Sequence, residues 1–190
     1  MAYDNAALLV MDFQQDVIAM LAAGGSGAAV ERARAAIDGA RAHGLPVIFV
    51  RVAFRARYPE VSARNKRMSV LRDKGLLRES SSGAQIASEL DPRPDDPVVV
   101  KRRVSALAHT DLPTLLSANE VDTLVLAGVA TSGVVLSTVR QAADADYRLI
   151  VLEDACADAD ADVHRVLMRK VLPTQASVMT VQAFLRELPA

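Results

Sequence analysis

The sequence predicts an α/β fold, a three-layer α/β/α sandwich around a six-stranded, mainly parallel sheet. Short apolar runs alternate along the whole chain with longer segments of helical period, the pattern of repeated strand-helix-strand units. The apolar runs are continuous stretches of Val, Ile and Leu, which marks strands covered on both faces. The chain has 190 residues, the usual size of one domain and long enough to bury roughly two-thirds of its unfolded surface. A single domain over residues 1–190 is therefore expected.

The strands read as AALLVMD (Ala6 to Asp12), PVIFVRV (Pro46 to Val52), PVVVKR (Pro97 to Arg102), TLVLAG (Thr123 to Gly128), YRLIVLED (Tyr147 to Asp154) and ASVMT (Ala176 to Thr180). Between the first two, Val30, Ala33, Ile37 and Ala40 recur at helical spacing while Glu31, Arg32, Arg34, Asp38 and Arg41 fall elsewhere on the wheel, and Gly44 with Pro46 ends the helix. A second helix begins near Thr110 or Asp111, both N-cap residue types, with Pro113 in its first turn. Others run from Ser132 to about Ala145, from Ala159 to about Leu172 and from Val181 to Leu188. The stretch between Ala53 and Asp96 is basic and irregular, with SSSGAQIASEL as a brief capped helix. It reads as an elaborated crossover or lid and not as a second domain.

The charges nearly cancel, 22 Lys and Arg against 23 Asp and Glu. No stretch concentrates one sign enough for a nucleic-acid or membrane surface, so a small molecule or further copies of the chain are the expected partners. The only cysteine, Cys156, rules out an intrachain disulfide and fits a reducing compartment. MAYDNAALLVMD has neither the basic region nor the cleavage site of a signal peptide, and no apolar run reaches the ~18 residues needed to span a bilayer. A soluble, cytoplasmic chain is expected.

In open parallel sheets, ligands bind outside the carboxyl ends of the strands. Three features fall there: Asp12 at the end of the first strand, Lys101 at the end of the third, and the turn VATSG leaving the fourth. Each has a plain structural alternative: an N-cap or turn former for Asp12, a solvated edge residue for Lys101, close packing for the turn. Their convergence on one crevice favours function, because a partly desolvated Asp–Lys pair is costly to bury. The first N–H groups of the following helix have no intrahelical partners and offer a site for an anion or a developing oxyanion. His43, His109 and His164 make no metal-ligand spacing and read as surface or capping residues. Cys156 reads as an inert buried thiol, and no His is placed by sequence to activate Ser132 or Ser137.

At these residues the chain resembles the isochorismatase-like hydrolase superfamily, also called the cysteine hydrolases. The resemblance rests on LLVMDFQQD, KRRVSAL, GVATSGVVLSTVRQAADADY and LEDACAD, in that order and across nearly the whole chain. It implies a Rossmann-like sandwich, a homodimer or homotetramer, no cofactor, and a mechanism built on an Asp, a Lys and a Cys. By motif Asp12 is the acid/base residue and Lys101 its charge partner and substrate polariser. Val134 occupies the place of the nucleophilic cysteine. The resemblance also implies a non-proline cis peptide at Val129–Ala130 that aims the N–H groups of Val129, Ala130, Thr131, Ser132, Gly133 and Val134 at substrate. Phe13, Gln14, Phe54, Arg55, Tyr58 and Leu107 are the candidate pocket residues, with Arg51 and Arg57 further candidates to meet an acid.

Without the thiol, covalent catalysis on amides is lost, and the zinc-binding histidines of some nicotinamidases are missing from VRVAFRARYPE, so no metal is expected. SAL replaces the more frequent SAF after Lys101, and His109 stands where a small residue is commoner. The family includes isochorismatases that need no cysteine: a carboxylic acid protonates an enol ether, and water completes hydrolysis to pyruvate and a dihydroxy-cyclohexadiene acid. The resemblance thus implies a hydrolase acting on a small, anionic metabolite by noncovalent Asp/Lys catalysis. A catalytically silent binding or assembly protein and a noncovalent amide hydrolase are the two alternatives. Burial raises the pKa of Asp12 and a neighbouring Lys101 lowers it; the sequence leaves the balance open.

Overall fold

The computed structural model describes residues 3, 5–21 and 24–188. Six strands, β1 (Ala6–Met11), β2 (Val47–Val52), β3 (Val98–Lys101), β4 (Thr123–Val129), β5 (Arg148–Ala157) and β6 (Ser177–Met179), form one sheet in the order β3-β2-β1-β4-β5-β6. Every neighbouring pair is parallel. The strand order reverses direction at β1 and β4, which opens a crevice above their carboxyl ends.

Alternate residues of β1 enter two separate cores. Leu8 and Val10 pack with Ala33, Ile37 and Phe184 on one side, and Leu9 and Met11 pack with Leu112, Leu116, Val135 and Val139 on the other. Both faces are dry, which is why the strand carries no polar alternation. The first layer of helices is α1 (Gln15–Met20), α2 (Ser26–Ala42) and α7 (Val181–Glu187), the opposite layer α4 (Leu112–Ala118), α5 (Leu136–Ala143) and α6 (Ala161–Val166), with α3 (Lys66–Asp73) in the crossover. α2 buries Ala29, Val30, Ala33, Ala36, Ile37 and Ala40, as its period predicts, and Gly44 follows its end at φ 70°. No described helix is long and apolar enough to cross a membrane.

Several boundaries depart from the sequence reading. β5 runs to Ala157, three residues further than expected, past a register shift against β4 between Leu126 and Gly128. The helix expected from Ser132 is a π-helical turn, Thr131–Val135, followed by α5, because Gly133 has a non-helical backbone (φ −95°, ψ −105°). The helix expected from Ala159 to Leu172 breaks after α6 into a π-helical turn (Leu167–Val171) and a 3-10 turn (Leu172–Thr174) that contains Pro173. SSSGAQIASEL makes two short 3-10 turns, Ser82–Ala84 and Ser88–Leu90, rather than one helix. α1 and α3 were not expected at all: each buries only one residue, Val17 or Met68, too sparse a stripe for a periodic signal.

The crossover between β2 and β3 is fastened to the sheet. Phe54 donates its N–H to Leu77 O and accepts from Glu79 N, at 2.8 and 2.9 Å. The Glu60 carboxylate meets Arg55 and Arg102 at 2.7 and 3.3 Å, Arg102 also pairs with Glu79, and Arg103 donates to Glu60 O. These contacts hold α3 above the carboxyl ends of β1 and β4.

Candidate functional site

Asp12 follows β1 directly. Its N–H still bonds Val50 O at 2.8 Å, but its φ of 58° turns the chain off the strand axis, a conformation Asp tolerates better than most residues. Lys101 is the last residue of β3, two strands away, and its ammonium reaches Asp12 Oδ2 at 2.8 Å. The Lys101 side chain is 2% exposed and that of Asp12 9%. Lys101 also donates to Arg103 O and Val104 O, at 3.1 and 3.0 Å. All three of its N–H groups are thus engaged, so it can polarise a substrate atom directly only by giving up one of these bonds.

Asp12 Oδ1 is buried without a hydrogen-bond partner. Burial pushes the Asp12 carboxyl above the usual carboxylate range; the charge and hydrogen bond of Lys101, and then the charge of Arg67, oppose this without overcoming it. The balance left open by the sequence therefore falls on the side of desolvation. Asp12 lines a cavity of about 510 Å³.

Besides Asp12 and Lys101, the cavity is lined by Val129, Ala130 and Val134 from the far side of the crevice, and by Val17, Met20, Leu21, Lys66, Arg67, Met68, Val70, Leu71 and Leu77 from α1, α3 and the crossover. Val129–Ala130 is a cis peptide bond. Val134 presents two methyl groups where the motif comparison puts a thiol. Cys156 lies on β5 opposite Gly128, buried, with its thiol pushed up to about 12 by burial.

The turn after β4 is fastened by residues that sequence reading passed over. Ser132 N–H donates to Asp158 Oδ2 at 2.6 Å, so it is not free to hold a substrate anion. Asp158 Oδ1 accepts from Ala159 N at 2.9 Å. Thr131 Oγ1 and His164 Nδ1 are hydrogen-bonded at 2.8 Å, and burial holds the half-buried imidazole below its ordinary pKa against the opposing charges of Asp158 and Glu153. His164 is thus half-buried, with its ring tied to the turn. Thr131 is fully buried and, like Ser132 and Gly133, does not line the cavity. The acidic residue just after LEDACA was the available signal for this clamp. Asp158→Ala should cost about 1–3 kcal/mol in urea unfolding, because two N–H groups lose their acceptor; an unchanged midpoint would mean water replaces it without loss.

None of the six candidate pocket residues lines the cavity. Phe13 and Phe54 belong to the core below it. Gln14 is fully buried and spends its amide on Val52 N, Val52 O and Ala84 O. Tyr58 donates to Leu76 O and packs on Phe54, the exposed Arg55 pairs with the largely covered Glu60, and Leu107 sits in the opposite core. Arg51 donates to Ala84 O and Arg57 is exposed. Besides Lys101, the basic residues that line the cavity are Lys66 and, against the turn after β4, Arg67. A Cβ on Gly133 would stand 2.9 Å from its Nη2, so the guanidinium lies against the β4–α5 turn.

A family model described as the Isochorismatase domain matches residues 6–183. The isochorismatase family protein YecD of Escherichia coli O157:H7 is 33% identical over 185 residues, 96% of this chain and 95% of the relative. Maleamate amidohydrolase of Pseudomonas putida is 29% identical over 186 residues, covering 96% of this chain and 86% of that protein. Among solved structures, a cysteine hydrolase from Pseudomonas syringae pv. phaseolicola superposes with a TM-score of 0.89 at 25% identity, over 97% of this chain and 92% of the other.

Proposed function

This chain belongs to the isochorismatase family of hydrolases, and on that footing we propose that it hydrolyses a small anionic metabolite by noncovalent acid catalysis, with Asp12 as the proton donor. The carrying observation is the Asp12 carboxyl itself: raised in pKa by burial, with Oδ1 lacking a hydrogen-bond partner, on a residue that lines the cavity. Asp12 delivers its proton to the terminal carbon of an enol ether or to the leaving nitrogen of an amide, and water adds to the activated carbon, after which the C–O or C–N bond breaks. The product leaves with the proton, and Asp12 recovers one from water. Lys101 stays fixed by its three acceptors and limits how far the pKa of Asp12 rises. Val134 contributes shape and dryness.

Two substrates report the two reaction types in this family. Isochorismate releases pyruvate when its enol ether is hydrolysed, and maleamate, the substrate in the name of one relative, releases ammonia. Product release from either supports the hydrolase, and iodoacetamide should leave the rate unchanged, since the one thiol is buried and Val134 supplies none. Loss of activity on alkylation would overturn the noncovalent reading. Tight binding with no product from either would favour the silent binding protein, which the same cavity supports.

A further inference from the structure

We propose that the ligand of this cavity is an amphipathic monocarboxylate, its head against Arg67 and its hydrocarbon body along α1 and α3. The inference rests on reading this cavity as the substrate site, and it narrows the substrate class. Only four of the lining residues are charged: Asp12, Lys101, Lys66 and Arg67. Asp12 and Lys101 are spent on each other. Arg67 has no ion-pair or hydrogen-bond partner among the described residues, and it faces the site between Asp12, whose pKa it lowers, and the Gly133 turn. One guanidinium of this kind, with planar paired donors, suits one carboxylate.

The rest of the cavity is hydrocarbon. Val17, Met20 and Leu21 from α1 face Met68, Val70 and Leu71 from α3. Met20 and Val70 are 45% and 47% exposed, two of the five large apolar residues that the described fold leaves in solvent. Their apolar surface is covered when a hydrocarbon chain lies between the two helices. A second carboxylate or a ring of hydroxyls placed between these six side chains would find no hydrogen-bonding group among them, since the remaining cation of the wall, Lys66, directly precedes Arg67 at the start of α3, and a buried polar group without partners is costly. A carboxylate beside Asp12 also favours the protonated form of that residue, so the head group assists the acid it sits next to.

The test is calorimetric titration with sodium butanoate, hexanoate, octanoate, succinate and 1-octanol, using wild type, Asp12→Asn and Arg67→Gln. Arg67 is exposed on a short helix, so its replacement leaves the fold intact. Affinity is expected to rise about twofold to fourfold per added methylene from butanoate to octanoate. Octanoate should exceed succinate and 1-octanol by at least about tenfold, Arg67→Gln should remove that advantage over octanol, and Asp12→Asn should still bind. Succinate binding as tightly as octanoate, no dependence on chain length, or an unchanged octanoate affinity in Arg67→Gln would each overturn the proposal. The two readings fail separately: octanoate binding without turnover of any substrate removes the hydrolase, whereas Asp12-dependent turnover with no octanoate binding removes the monocarboxylate.

Discussion

Asp12→Asn is expected to lower kcat by about a hundred- to ten-thousand-fold with little change in KM, the range that a positioned general acid supplies. The substitution is a clean probe for a conformational reason. Position 12 has a φ of 58°, and Asn is among the few residues that accept the left-handed region without much strain. An amide also keeps the shape of the carboxyl and can still accept from Lys101, so the loss falls on proton donation. The wild-type rate should follow the protonated fraction of Asp12. Because burial raises that pKa above the ordinary 3.8, the active form survives to higher pH than in an exposed aspartate, and kcat declines as pH climbs through the raised value. A rate that instead grows with pH would make Asp12 a base and reverse its assignment. Full activity in the Asn variant would remove it from the chemistry.

Lys101→Met should produce the largest loss of stability, about 3–5 kcal/mol near neutral pH, the usual cost of stranding one member of a buried ion pair. The loss should depend on pH in a defined direction. Lys101 is the strongest influence holding the pKa of Asp12 down, so its removal raises the folded-state value further. A raised folded pKa stabilises the native state fully below the unfolded value, and that contribution disappears as pH rises through the folded one. The variant should therefore come closest to wild type at acid pH and fall further behind as pH rises in urea unfolding. Equal deficits at both ends would mean that the stranded group is not Asp12, and that the lost bonds to Arg103 O and Val104 O account for the effect.

The sheet and the buried Asp12–Lys101 pair were legible in the sequence for a shared reason. A strand covered on both faces leaves a continuous apolar run, and a charged residue ending such a run stands out locally, as Asp12 and Lys101 do. The cavity wall was not legible. α1 and α3 each anchor themselves with a single buried side chain, so their apolar residues line a void instead of a core and show no period. Nearness in sequence also misled: Phe13 and Gln14 follow Asp12, yet the turn at Asp12 sends them beneath the cavity, Gln14 to tie β2 to the crossover. Arg67, Asp158 and His164 act across 66, 26 and 33 positions, towards Gly133, Ser132 and Thr131. No local pattern reveals partners so far apart. Asn65 was one usable sign, since its side chain caps α3 by accepting from Met68 N.

The ion pairs that fasten the crossover have an evolutionary consequence. Glu60, Glu79 and Arg102 attach this segment at its stem, while Arg67, Val70 and Leu71 project from it into the cavity. The acid itself belongs to the sheet. On the proposed reading, mutations in α3 would exchange one substrate for another while the attachment and Asp12 stay in place, and the exposure of Arg67 and Val70 leaves those positions tolerant of change. On the same reading, such a scaffold keeps substrate preference and acid chemistry on separate parts of the chain, so one can change without the other.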